Sequence, residues 1–267
     1  MGKVIAVANE KGGVGKTTGT VTIADILASW GHSVLLTDND PQGNATLSFR
    51  GSKEDLEAHI RDVYNGKVVK PILIKERLHL LGSNKQLGKE LDRGFEIVYD
   101  FAETLDKYLN QYDFILIDCL PSTSYFLAAS LLAADYVVIP IIPEPYAVDG
   151  LKEVLDTIKK YQRPKFNPNL KIIGVFINCV PGKPTIITKS IIEGLEKEYK
   201  DLIFTSKVTR GTAIVESPTK QQSIIEYAPD HKLAQEFSAV TRELLMRIDE
   251  GFTANLEQVS KHEKEIA

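Results

Sequence analysis

The chain has 267 residues, of which 43% are hydrophobic and 25% charged, and its formal net charge is −4. This length and apolar fraction suffice for one large domain with a well-formed core. The negative net charge excludes a globally basic nucleic-acid binder, so any contact with nucleic acid requires a local basic patch. No apolar run reaches the roughly 18 residues that a membrane span needs. The first residues enter a strand at once, so we expect no signal peptide and a cytoplasmic protein.

Strand-like and helix-like segments alternate along the chain. Apolar, β-branched runs predict strands at 3–9, 33–38, 113–118, 135–142 and 171–178, and a short one at 202–206. Apolar residues at helical spacing predict helices at 17–31, 95–112, 124–133, 148–161, 185–199 and 232–248. Such alternation, with fully apolar strands, is typical of an α/β fold: one mostly parallel, twisted sheet with helices on both faces.

Two regions depart from this alternation. The segment 52–89 is irregular and more polar, and we expect it to be an insertion over the core. We expect residues 1–250 to form one domain and residues 251–267 a charged C-terminal tail, loosely docked or helical.

The stretch EKGGVGKTT, residues 10–18, joins the first strand to the first helix. A glycine-rich turn at such a junction presents backbone N–H groups and a helix N-terminus to an anion. The usual phosphate-binding loop reads G-x-x-x-x-G-K-[ST]. Here Glu10 replaces its first glycine, and a second lysine, Lys11, stands at its start.

The residues expected to bind the nucleotide are Gly12, Gly13, Val14, Gly15, Lys16, Thr17 and Thr18. Lys16 would reach the β- and γ-phosphates, and the Thr17 hydroxyl would ligate Mg²⁺.

Two further strands carry aspartates at their ends. Asp38 and Asp40, in LLTDNDPQGN, are alternate residues of an extended chain, so both can point toward the phosphates. One can hold the water shell of Mg²⁺ while the other orients the attacking water. We favour Asp38 for the metal and Asp40 for the water. Asp118 ends the apolar strand FILID in the form of a Walker B strand, whose aspartate binds the water shell of the metal.

Together these motifs resemble the ParA/MinD family of deviant Walker ATPases. The family's K-G-G-x-x-G-K-[ST] is met by residues 11–17 and its D-x-D-P-Q-G-N by residues 38–44. Its DCPPS appears as DCLPS, with Leu120 in place of proline. IPEPYAVDGL (142–151) is similar to the family's dimer-face segment, and residues 209–237 align without gaps to a ParA/Soj segment. The resemblance spans about residues 3–247 and is better for ParA than for MinD.

The resemblance implies an ATPase that uses ATP and Mg²⁺, hydrolyses ATP weakly and acts as a switch. Its homodimer would sandwich ATP, and Lys11 would reach across to the partner's nucleotide, as an arginine finger does. The plainer interpretation of Lys11 is a solvated loop lysine. On family grounds, Asn178 and the region of Pro218 are candidates for contacting adenine.

The resemblance also implies binding to non-specific nucleoid DNA through basic residues near the C-terminal helices. Arg210 and Lys232 stand at basic positions of the family and Lys220 could join them, whereas the family's second arginine is Ala213 here. The expected function is the partition or positioning of a plasmid, a chromosome origin or a protein organelle such as a carboxysome. A ParB-like or adaptor protein would stimulate hydrolysis.

Two alternatives belong to other classes. A MinD-like member would bind membranes through a basic amphipathic C-terminal helix, but three glutamates of the tail roughly cancel its lysines. We therefore expect no membrane binding. An iron-protein reductase would need cysteines that hold a cluster, whereas Cys119 lies in the Walker B turn and Cys179 has the pattern of a core residue.

Overall fold

The computed structural model describes residues 1–122 and 124–252. Its strands are β1 (Lys3–Val7), β2 (Val34–Asn39), β3 (Ile72–Lys75), β4 (Leu78–Leu81), β5 (Phe114–Cys119), β6 (Tyr136–Ile141) and β7 (Lys171–Ile177). Its helices are α1 (Lys16–Ser29), α2 (Asn44–Arg50), α3 (Ile60–Tyr64), α4 (Glu96–Asp106), α5 (Tyr125–Ala133), α6 (Ala147–Tyr161), α7 (Ile186–Tyr199), α8 (Ala213–Glu216), α9 (Ile224–Tyr227) and α10 (Lys232–Asp249).

These strands form one sheet in the order β3-β4-β2-β5-β1-β6-β7. β3 runs antiparallel to β4, and every other neighbouring pair is parallel. Successive side chains of a strand point to opposite faces of the sheet. All residues of β2 and β5 are nevertheless buried, so both faces of the sheet are covered at these strands. Helices therefore cover both faces, and the predicted α/β class with a mostly parallel sheet is confirmed.

The parallel register brings the carboxyl ends of the central strands to one edge. Asp118 at the end of β5 lies opposite Asp38 on β2 and opposite Val7 on β1. The loop that follows β1 and the segments that follow β2 and β5 therefore meet at the same place. This is the crevice at which open α/β sheets bind their ligands.

The expectation that residues 52–89 form an insertion over the core was wrong. β4 lies inside the sheet as a parallel neighbour of β2, and β3 forms the edge beside it. Leu78, Leu80 and Leu81 are fully buried. Each of these strands has four residues, and a charged turn separates them, so neither gives a long apolar run. The strand expected at 202–206 is only an isolated bridge between Val175 and Ile203.

The predicted helices are found, with α4 ending at Asp106 rather than at residue 112. α10 ends at Asp249, one residue beyond its predicted end. The predicted tail lies outside the described residues from 253 onward. No helix among the residues described is long and apolar enough to cross a membrane.

A buried ion pair ties α1 to the edge of the sheet. The carboxylate of Asp25, on α1, is fully buried and pairs with the ammonium of Lys75 at the end of β3. The Ser223 hydroxyl, at the start of α9, donates a hydrogen bond to the same carboxylate. Lys75 also pairs with Glu226 at 2.8 Å. Since an unpaired buried charge is costly, the packing of α1 depends on this lysine.

We predict that Lys75→Met lowers the free energy of unfolding by about 2–3 kcal/mol, because it leaves the Asp25 carboxylate without its cation. Urea unfolding followed by circular dichroism measures the change. Lys70→Met, at an exposed position of the same segment, is the matched control and should shift stability by less than about 0.5 kcal/mol. Equal, small effects of both changes would contradict the claim that Lys75 balances the buried charge of Asp25.

Candidate functional site

The glycine-rich loop between β1 and α1 adopts the backbone that its glycines allow. Gly13 and Gly15 have φ angles of 76° and 91°, in the left-handed region. A Cβ atom at Gly15 would collide with the side-chain amide of Asn178, whereas one at Gly12 or Gly13 would meet open space. Gly15 is thus fixed by close packing, while Gly12 and Gly13 leave open space before the N-terminus of α1.

Lys16 is the first residue of α1, and it is 6% exposed. Its ammonium donates a hydrogen bond of 2.8 Å to the carbonyl oxygen of Lys11, so it curls back under the loop. Burial lowers its pKa, and the negative charges of Asp118 and Asp40 oppose that shift. Lys16 therefore supplies a positive charge at the floor of the loop.

The three predicted aspartates converge beneath this loop, and each is 6% exposed or less. Asp38 Oδ2 accepts hydrogen bonds of 2.7 Å from both the backbone N–H and the hydroxyl of Thr46. Asp40 Oδ1 accepts a hydrogen bond of 2.8 Å from the N–H of Gln42. Asp118 Oδ1 accepts a long bond of 3.4 Å from the Thr20 hydroxyl. Its Oδ2 is buried and has no hydrogen-bond partner among the residues described.

Burial and mutual repulsion make the carboxylates of Asp38 and Asp118 reluctant to ionise. Burial raises the pKa of Asp38 to about 6, and the negative charge of Asp40 adds to the effect. Burial also raises the pKa of Asp118 well above its ordinary value, and the charge of Asp38 raises it further. The nearby Thr17 hydroxyl and the Lys16 ammonium oppose that shift. The site thus carries an excess of buried carboxylate that a bound cation would relieve.

This donor set fits Mg²⁺ bound together with a phosphate ligand. Within the described ranges, no group of three or more His, Cys, Asp or Glu residues is arranged to hold a metal by itself. Mg²⁺ usually keeps several waters and takes only one or two carboxylates plus substrate phosphates. The orphaned oxygen of Asp118 and the hydroxyl of Thr17 would be its protein contacts, directly or through water.

Thr46 and Ser83 belong to the site although the sequence motifs did not single them out. Thr46 lies in the first turn of α2, and its hydroxyl accepts a hydrogen bond of 2.8 Å from the N–H of Ser83, just after β4. The Thr46 hydroxyl thus connects β4 to Asp38. One oxygen of Asp38 is occupied by Thr46, so the division of roles between Asp38 and Asp40 stays a prediction.

Lys11 points away from its own loop. Its ammonium pairs with Glu144 Oε2 at 3.1 Å, and its side chain is 56% exposed. Glu144 lies between β6 and α6, two residues before Tyr146, which is 84% exposed and has a φ angle of 67°. The two lysines of the loop therefore occupy different environments, one inside the site and one on the surface beside it. Sequence reasoning did not single out Glu144.

Asn178 and Pro218 lie on different segments, and Asn178 contacts the loop. Asn178 Nδ2 donates a hydrogen bond of 2.9 Å to the carbonyl oxygen of Val14, and its Oδ1 accepts one from the N–H of Cys179. The amide nitrogen of Asn178 thus braces the loop backbone, while the amide oxygen binds the adjacent Cys179. Pro218 is half-buried in the short 3₁₀ turn Ser217–Lys220. Contact of either residue with adenine stays a prediction.

The predicted basic residues are exposed, and Glu236 contacts both Lys232 and the residue before Arg210. Thr209, next to Arg210, donates from its N–H and hydroxyl to Glu236 Oε2, both at 2.8 Å. Lys232 pairs with Glu236 Oε1 at 3.2 Å. Arg210 and Lys232 therefore lie close together at the start of α10. Lys220 lies on the 3₁₀ turn, a separate segment.

The raised carboxylate pKa values predict how stability depends on pH without metal or nucleotide. A carboxyl with a raised folded pKa contributes stability below its unfolded pKa and loses it as the pH rises through the folded value. As the pH rises from the unfolded pKa of about 4 toward the raised folded pKa of Asp118, wild-type stability should therefore fall relative to Asp118→Asn, which lacks this titration. Urea unfolding in chelator measures the difference. Parallel pH profiles of the two proteins would refute it.

Relatives of known sequence cover almost the whole chain. A family described as AAA domain matches residues 2–172. The chain is 32% identical over 255 residues to sporulation initiation inhibitor protein Soj of Bacillus subtilis, covering 91% of this chain and 98% of Soj. It is 31% identical to chromosome-partitioning ATPase Soj of Thermus thermophilus, covering 92% and 97%.

Solved structures have the same fold. Cobyrinic acid a,c-diamide synthase of Mycobacterium smegmatis, with bound ADP and magnesium, matches with a TM-score of 0.80 and 27% identity over 95% of this chain and 98% of that one. The Cyanothece McdA(D38A)–ATP complex matches with a TM-score of 0.80 at 20% identity over 91% and 96%, which shows the fold alone. With the loop, the carboxylates and these relatives in view, the chain belongs to the ParA/MinD family of ATPases.

Proposed function

We propose that this protein is a weak ATP hydrolase used as a switch, which dimerises around ATP, binds non-specific DNA and positions a cargo. The observation that carries the proposal is the separation of the two loop lysines. Lys16 is buried among carboxylates, while Lys11 lies on the surface, bound to Glu144. A self-sufficient hydrolase would keep both charges in one site.

Within the protomer, each residue has a defined task toward ATP. The N–H groups of the loop and of the first turn of α1 bind the phosphates, and Lys16 turns from the Lys11 carbonyl to the β- and γ-phosphates. Mg²⁺, when bound, neutralises the phosphate charge. Thr17, Asp38 and Asp118 would hold it, and Asp40 would orient the water. Asn178 keeps the loop in shape through the Val14 carbonyl.

A second copy of the chain completes the site. Lys11 would leave Glu144 and place its ammonium on the nucleotide of the partner, so hydrolysis would depend on assembly. The strong exposure of Tyr146, an aromatic residue held at a positive φ angle beside Glu144, supports an interface on this face. The ion pair between Lys11 and Glu144 is solvent-exposed on both sides and is therefore weak enough to exchange.

The DNA patch would consist of Arg210 and Lys232, with Lys220 as a further contact on the 3₁₀ turn. In the described part of the chain, Glu236 holds Lys232 and the segment of Arg210 in place and also reduces their net positive charge. Because each phosphate contact releases a counterion, DNA binding should weaken as the salt concentration rises. A cytoplasmic, nucleoid-associated protein would then carry a plasmid, a chromosome origin or a protein organelle, and a ParB-like or adaptor partner would stimulate its hydrolysis.

We predict that the protein binds non-specific duplex DNA with ATP and Mg²⁺, but much more weakly with ADP or without nucleotide. Arg210→Ala and Lys232→Ala should each weaken binding, and each should lower the slope of log K against log salt by about 1. Fluorescence anisotropy at several salt concentrations measures both.

Lys89→Ala is the matched control, because it removes one exposed lysine from another part of the surface. Liposomes of anionic lipid run in parallel. Binding to liposomes but not to DNA would move the protein to the MinD-like alternative and overturn the proposal. Equal affinity for DNA with ATP, with ADP and without nucleotide would overturn the proposal that the protein is a switch.

A further inference from the structure

A cleft lies at the amino ends of the central parallel strands. Its wall includes residues that precede three of them: Ser33 before β2, Arg77 before β4 and Tyr112 before β5. The nucleotide site lies at the carboxyl ends of β1, β2 and β5, so the cleft is at the other end of these strands. Its volume is about 510 Å³, which is within the range of small-molecule sites.

Tyr108 frames this cleft by tying two segments together. Its hydroxyl donates a hydrogen bond of 2.8 Å to the carbonyl oxygen of Val69 and accepts one of 2.9 Å from the N–H of the same residue. The segment that leads into β3 is thereby fastened to the turn that follows α4. The apolar part of the wall consists of Val68, Val69 and Pro71 together with the rings of Tyr108 and Tyr112.

The charged part of the cleft is cationic. Lys70 and Arg77 line it, and no Asp or Glu is among the described residues of its lining. The guanidinium of Arg77 approaches the carboxylate of Glu76 only to 3.9 Å, and the Glu76 side chain is 92% exposed, so water screens this pair. In a chain of net charge −4, two cations that face a cleft without a carboxylate favour an anionic ligand.

Arg77 has an uncommon backbone conformation. It is the second residue of the two-residue turn between β3 and β4, and its φ angle of 64° lies in the left-handed region. Its carbonyl oxygen accepts a hydrogen bond of 2.8 Å from the N–H of Val34, the first residue of β2. Glycine or asparagine would adopt this conformation at lower cost. An arginine here instead places a guanidinium at the cleft, and strained residues of this kind cluster at ligand sites.

His79 adds a polar side chain to the wall of the cleft. Its Nδ1 is buried and has no hydrogen-bond partner among the residues described. Burial lowers the pKa of His79, and the positive charge of Lys70 lowers it further, so the imidazole is neutral at neutral pH. Its ring meets that of Tyr112 edge-on, with the centroids 5.4 Å apart. A neutral imidazole can donate or accept a hydrogen bond, so its tautomer can match a polar group of a ligand.

We propose that this cleft binds a small organic anion, a flat ring that carries a carboxylate or a phosphate group. The anionic group lies on Lys70 and Arg77, since a guanidinium donates to either group through a fork of N–H bonds. The ring lies against Tyr112 and the apolar segment before β3, where it gains aromatic contact. The site is separate from the nucleotide site, and its existence does not depend on the proposed function.

Equilibrium dialysis of the full chain against radiolabelled benzoate and, separately, phenyl phosphate tests this site. ADP and Mg²⁺ are present throughout, so that the nucleotide site does not take up the phosphate. Lys70→Gln and Arg77→Asn should each weaken binding about fivefold, because each removes a charged contact. Asparagine is chosen because it tolerates the left-handed backbone of Arg77. The tighter of the two anions shows whether the site prefers a carboxylate or a phosphate.

The matched control is Lys67→Gln, which removes one exposed lysine from the same segment but outside the lining. It should bind both anions like the wild type. Equal weakening by Lys67→Gln and Lys70→Gln would show attraction by charge alone and overturn the proposal, as would no measurable binding of either anion.

Benzyl alcohol, a ring without a charge, should bind at least about fivefold more weakly than benzoate. Equal affinity for the two would show an apolar cleft that does not recognise anions and would also overturn the proposal. Circular dichroism checks that each variant folds. DNA binding of the same proteins is measured separately, so the cleft and the proposed function can fail independently.

Discussion

The constraint on which the site depends is the excess of buried carboxylate at one edge of a parallel sheet. The register of β2 against β5 sets Asp38 opposite Asp118. Asp40 directly follows the last residue of β2. In the described residues around them, Lys16 is the buried ammonium that faces these acids. Both sheet faces are covered, so water cannot relieve the repulsion. A bound cation with a phosphate ligand is the natural way to balance it.

The rest of the fold holds this edge in place. Asp38 is fixed by Thr46, and Thr46 is fixed in turn by Ser83 at the end of β4. Asn178, at the end of β7, holds the loop from the other side through Val14. The buried pair of Asp25 and Lys75 anchors α1, the helix that begins at Lys16. The loop backbone is therefore braced at Val14, whereas the side chain of Lys11 is held by an exposed ion pair with Glu144.

Much of this could be predicted from the sequence, because the chemistry lies in contiguous motifs at the ends of long apolar strands. The loop and both acidic strand ends lie in short contiguous motifs. The α/β class follows from apolar runs such as FILID. β3 and β4 were not predicted, because four-residue strands with a charged turn carry little periodic signal. Thr46 and Glu144 were missed for another reason: Ser83, which bonds to Thr46, and Lys11, which pairs with Glu144, are distant in sequence, and only the fold brings them together.

The most direct test of a site completed by a second copy is ATP hydrolysis by an equimolar mixture of two inactive variants, Lys11→Ala and Asp40→Ala. In a mixed dimer, the Lys11→Ala subunit retains Asp40 and receives Lys11 from its partner, so one of the two sites is complete. Because half of the dimers are mixed, the mixture should recover about a quarter of the wild-type rate. A mixture that stays as inactive as either variant alone would show that Lys11 does not act across the dimer.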